Sequence, residues 1–168
     1  MATSWEVVFF VCRYSLGGYV LETIRRLVEE YAGNPHLPRL IFIAGEEYYE
    51  KGFGGENEGD QEKAHDNFFH AIKIWDVVIH DLPEDPHFTP MSYYLSGACF
   101  RQWEDYESAI FCYEQVVKHW PQFNRAEWAQ FRIAHCYDQM VKRKGIPFSQ
   151  VKSKIQDCLL YTSDAADE

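Results

Sequence analysis

Residues 90–121 read PMSYYLSGACFRQWEDYESAIFCYEQVVKHWP, and this stretch decides the fold. Its second half, Tyr106 to Trp120, sets Ala109, Tyr113, Val116 and Val117 on one face of a 3.6-residue period. Twelve residues separate Gly97 from Ala109, enough for one helix end, one tight turn and one helix start. A glycine inside a helix costs ~1 kcal/mol relative to alanine, and close approach of a second helix is the usual compensation. The stretch therefore predicts two antiparallel helices that touch where side chains are small. Large residues fill the space one turn away.

The same spacing recurs on either side. Three prolines, Pro35, Pro83 and Pro121, follow helical segments. Twelve residues before them stand Thr23, Ala71 and Ala109, all small; eight before stand Leu27, Trp75 and Tyr113, all large. Upstream, Gly45 and Tyr48, Gly97 and Phe100, and Ala134 and Tyr137 each place a small residue three before an aromatic, with Val11 and Tyr14 as a degraded copy. Helical periodicity covers the remainder: Val20, Ile24, Leu27, Val28 and Tyr31 in one segment, and Ala64, Phe68, Ala71, Trp75, Val78 and Leu82 in a helix opened by Asp60. No alternating strand pattern is convincing, so the fold class is all-α. One hairpin cannot bury its own face, so hairpins stack on their neighbours.

These spacings resemble the tetratricopeptide repeat family, whose pattern is W-x2-L-G-x2-Y, then A-x3-F, then P. Tyr93, Gly97, Phe100, Tyr106, Ala109, Tyr113 and Pro121 stand at signature places. The resemblance implies a right-handed α-solenoid of antiparallel helical hairpins. Its units are residues 4–37 (degenerate), 38–86, 90–123 and 124–160 (partial). The second carries about fourteen extra residues, read as an acidic, Gly-rich loop insertion between its helices. Ala129 to Tyr137 (AQFRIAHCY) is similar to helices in bacterial cell-envelope and outer-membrane assembly lipoproteins, which points to a bacterial source. Residues 158–168 resemble a read-through translation of a sequencing adapter and are expected to be non-native, making the chain a fragment.

Composition limits the partners. The 168 residues carry 16 basic against 26 acidic side chains, a net charge of −10, which argues against nucleic acid and anionic membrane surfaces. The most apolar run, Val7 to Cys12, is far short of the ~20 residues that span a bilayer, so no direct membrane insertion is expected. From the chain alone the expected compartment is the cytoplasm, or the periplasm if a leader precedes residue 1. Five cysteines without a C-x-x-C pair read as reduced, buried thiols.

The motifs that could carry chemistry are weak. Gly52–Gly55 is followed by Glu56, Glu58 and Asp60, which would repel a phosphate. A calcium loop begun at Glu56 would need glycine and glutamate where Gln61 and Asn67 stand. The pairs His65-Asp66 and His80-Asp81 suggest the metal dyad of helical HD-type hydrolases. However, His65 and His70 point about 140° apart on a helix. No metal, cofactor or catalytic residue is expected.

What remains is the groove that stacked hairpins form. The resemblance implies that first helices line its concave side and hold a peptide or helix of another protein. The residues expected there are Arg39, Phe42, Glu46 and Tyr49 in the second unit, Tyr94, Arg101 and Gln102 in the third, and Trp128, Phe131, Arg132 and His135 in the fourth. Phe42, Tyr94 and Phe131 fall at one place in successive units, an aromatic ladder beside arginines, the residue types of binding hot spots. The expected function is a non-catalytic interaction scaffold. The alternatives are an envelope-assembly adaptor and, in another class, a metal-dependent hydrolase.

Overall fold

The computed structural model describes residues 18–57 and 60–164. Among them the chain is entirely helical: α1 (Gly18–Glu30), α2 (Leu37–Asn57), α3 (Gln61–Asp81), α4 (Phe88–Gln102), α5 (Tyr106–His119), α6 (Ala126–Lys144) and α7 (Phe148–Asp164). They form two compact units, one ending at Ser92 and the next beginning at Tyr93. The degraded copy at Val11 and Tyr14, and Cys12, lie outside the described residues.

In the first unit α3 is the central helix. Asp60 caps it, its carboxylate accepting from Lys63 N–H at 3.0 Å. Ala64, Phe68, Ala71, Ile74, Trp75, Val77 and Val78 are buried along it. α2 packs along its length, and α1 packs against it through the buried stripe Val20, Ile24 and Leu27. Gly45 of α2 abuts Trp75, and Gly52 abuts Phe68. Contacts that descend α3 as they climb α2 make the pair antiparallel.

Gly52 corrects the expected loop insertion. The acidic, Gly-rich stretch from Gly52 to Asn57 is helix, an extension of α2. A Cβ on Gly52 would sit 2.5 Å from the Phe68 ring, so this glycine is a packing residue. The contact offsets its poor helix propensity.

The register expected for the first hairpin also changes. α3 and α5 end at Asp81 and His119, two residues before Pro83 and Pro121, whereas α1 ends at Glu30, five before Pro35. The counterpart of Pro35 is Pro86. Asn34-Pro35-His36 and Asp85-Pro86-His87 form the same turn, the Asn34 or Asp85 side chain accepting from the histidine N–H at 2.9 Å in both. Each turn leads into a helix three residues on, α2 or α4. In α1 the residues that match Ala71 and Trp75 are therefore Val20 and Ile24, both buried, in place of Thr23 and Leu27.

In the second unit each helix packs on the next. Gly97 of α4 meets Tyr113 of α5, and Tyr93 meets Trp120 with ring centroids 5.9 Å apart, an antiparallel pairing again. Asp105 caps α5, accepting from Ser108 N–H at 3.2 Å. α5 packs on α6, and α6 on α7. Gly145, at φ 68°, ends α6 in the left-handed conformation that glycine adopts without strain. Two ion pairs, Glu104 with Arg143 and Glu107 with Lys144, tie the α4–α5 turn and the first turn of α5 to the end of α6. α7 runs on through buried Cys158 to Asp164, into the stretch expected to be non-native.

Candidate docking face and polar notch

Both units use one packing device. A glycine on the first helix of a hairpin leaves space, and an aromatic ring from the second helix fills it. For Gly45 the ring is the Trp75 indole, which a Cβ would overlap; for Gly97 it is Tyr113, whose nearest ring carbon would lie 2.9 Å from a Cβ. The small residue thus makes room for the large one of its partner helix. This replaces the expected meeting of glycine with alanine. Ala71 and Ala109 are fully buried one turn before those rings.

In the first unit this device consumes the aromatic residues expected in the groove. Phe42 is 5% exposed. Its ring stacks 5.9 Å from Trp75 and lies 5.3 Å from Phe88, and its carbonyl accepts the indole N–H at 3.1 Å. Tyr49 is half-buried in a cluster with Phe53, Phe68 and Trp75, at 5.0, 5.9 and 5.7 Å. Glu46 is half-buried, and burial, followed by repulsion from Glu50, holds its carboxyl above the usual range. Arg39 is exposed near the start of α2.

The second unit divides differently. Tyr94 is 7% exposed, edge-on to Tyr113 at 5.5 Å, with the Arg125 guanidinium 5.5 Å from its ring centre. The exposed aromatic ladder is thereby corrected: Phe42 and Tyr94 are core residues, held by rings from neighbouring helices. Phe131 is different. It is 45% exposed and Trp128, one turn before it, is 56% exposed; the two rings meet edge to face at 6.1 Å. Both project from α6. Gln102 is exposed at the end of α4.

Arg101, Arg132 and His135 are half-buried, and the charges of the two arginines act on both Tyr113 and His135. Burial raises the Tyr113 hydroxyl well above its ordinary value, opposed by the charges of Arg101 and Arg132. Burial also lowers the His135 imidazole, and the same two arginines push it further down. Cys136 is pushed up to about 11 by burial, so it is a thiol at neutral pH. Neither arginine is ion-paired within the described residues. The carboxylate that acts on His135, Asp138, is held by Lys142 at 2.7 Å. Tyr113 was expected only as packing. The signal for more was its chemistry: a hydroxyl-bearing ring where the other hairpin has an indole.

The remaining motifs stay apart. His80 lies 3.2 Å from Asp76, one helical turn away, and the His70 ring lies tilted against Tyr48 at 5.3 Å. Among the described residues no three His, Cys, Asp or Glu side chains are grouped to hold a metal ion. No described helix is long and apolar enough to cross a membrane. Comparison of the chain with protein-family models, with curated proteins and with solved structures finds no match.

Proposed function

We propose that the chain is a helical-hairpin repeat scaffold of the tetratricopeptide kind, whose hairpins stack as a solenoid and whose α6 face docks a segment of another protein. The observation that carries this reading is the Trp128–Phe131 pair. Two large rings stand about half exposed and fixed edge to face on one helix, beside an arginine without a carboxylate partner. Tryptophan, tyrosine and arginine are enriched at the hot spots of protein interfaces. Recurrence of the glycine–aromatic device in two hairpins supports the repeat architecture.

The charge of Arg101 and Arg132 selects the occupant: a short acidic segment with an apolar anchor, where the rings supply affinity and the arginines fix register. Selection from a displayed peptide library tests it, with wild type run against Trp128→Ala/Phe131→Ala. Both changes are at exposed positions, so the double variant should keep its melting temperature. Enriched peptides should carry acidic residues beside an apolar anchor. They should lose about 30-fold in affinity for the variant, equivalent to a hot spot of ~2 kcal/mol. Equal affinity for the two proteins would overturn the docking face.

A further inference from the structure

Among the described residues of the second unit, the polar side-chain atoms cut off from solvent without a hydrogen-bond partner include Arg101 Nε, the Tyr113 hydroxyl and His135 Nδ1, with Ser96 Oγ on α4 besides. They come from three successive helices, α4, α5 and α6. Their grouping follows from the packing. Gly97 admits the far edge of the Tyr113 ring, and Arg101 stands one turn further along the same face of α4. Arg132, His135 and Cys136 share one face of α6, and the charges of Arg101 and Arg132 both reach Tyr113, His135 and Cys136. Tyr113 is fully buried, whereas Arg101, Arg132 and His135 are each partly exposed.

We infer that these side chains form a notch for an oxyanion, a carboxylate or phosphoryl group. A guanidinium N–H and a phenol O–H are donors, and a neutral imidazole becomes a third when its proton sits on Nδ1. Two fixed positive charges lie beside them, without a carboxylate to answer them. A water molecule would satisfy the donors and leave the charges uncompensated. An anionic oxygen pair satisfies both, and it matches the fork of an arginine. A cation is repelled, and an apolar group would leave every donor unpaired.

The notch rests on the docking reading only for which molecule carries the anion, an acidic or phosphorylated side chain of the docked segment. It is therefore tested without a partner. Sodium acetate and inorganic phosphate are titrated separately into the full chain at constant ionic strength, following the arginine Nε–Hε resonances by NMR. The Arg101 resonance, assigned from its loss in Arg101→Gln, should shift and saturate in the millimolar range. Arg132→Gln and Tyr113→Phe, each checked for an unchanged circular dichroism spectrum, should weaken that binding about tenfold and several-fold respectively. Tighter binding of phosphate assigns a phosphoryl source, and tighter binding of acetate a carboxylate. No saturable shift with either anion, or an equal shift in Arg132→Gln and Tyr113→Phe, overturns the notch. It would leave the Trp128–Phe131 face standing on its own test.

Discussion

The hairpins α2–α3 and α4–α5 solve the same packing problem, and they differ in what they do with a polar handle. Each seats an aromatic ring from its second helix on a glycine of its first. Trp75 turns its N–H onto the Phe42 carbonyl at 3.1 Å, which closes the site within the hairpin. Tyr113 occupies the equivalent place over Gly97, yet its hydroxyl has no partner and feels the charges of two arginines. A buried polar group left unpaired costs about 1–3 kcal/mol. A satisfied handle contributes to folding, and an unsatisfied one detracts from it.

Substitutions at the two glycines break the comparison most strongly. Gly45→Ala drives a methyl group into the indole and separates it from the Phe42 carbonyl, so the loss should reach about 3 kcal/mol, the upper end of overpacking. Gly97→Ala meets only the ring edge of Tyr113, at 2.9 Å. The better helix propensity of alanine offsets part of that strain, leaving a net loss of about 1 kcal/mol. Urea denaturation of both variants checks the order. Equal losses would mean that the two rings are seated alike.

The helix caps should respond alike in both hairpins. Asp60→Ala and Asp105→Ala each remove a carboxylate bonded to a third-residue N–H, and each should cost about 1 kcal/mol in the same denaturation experiment. A smaller effect distinguishes the units by pH. His135 is harder to protonate in the fold than in the unfolded chain, first because of burial and then because of Arg101 and Arg132. Below about 6.5, the ordinary histidine value, the unfolded chain takes a proton that the folded one resists. Stability therefore falls as pH drops through that window, and His135→Gln should flatten the fall. An unchanged slope in that variant would place His135 in ordinary solvent.

Local chemistry made much of the fold legible. The helical class, the helix start at Asp60 and the apolar stripe of α3 all follow from neighbours in sequence. Long-range packing hid the rest. Gly52 reads as a chain breaker until Phe68 is seen over it. Pro35 aligns with Pro83 by counting alone, whereas the Asn34 and Asp85 turns show that it aligns with Pro86. Phe42 and Phe131 share a place in the expected repeat, but Trp75 and Phe88 cover Phe42 while Phe131 stays about half exposed. Sequence period sets which residues share a face. The sizes of residues on other helices decide which of them reach solvent.

The hydroxyl of Tyr113 gives the most direct measurement of the difference between the hairpins. Tyr113→Phe keeps the ring over Gly97 and removes one oxygen. If that oxygen is unsatisfied in the free protein, the free energy of unfolding should be unchanged or should rise by up to about 1 kcal/mol. A loss of about 1 kcal/mol or more, the ordinary worth of a hydrogen bond made within the fold, would contradict the account.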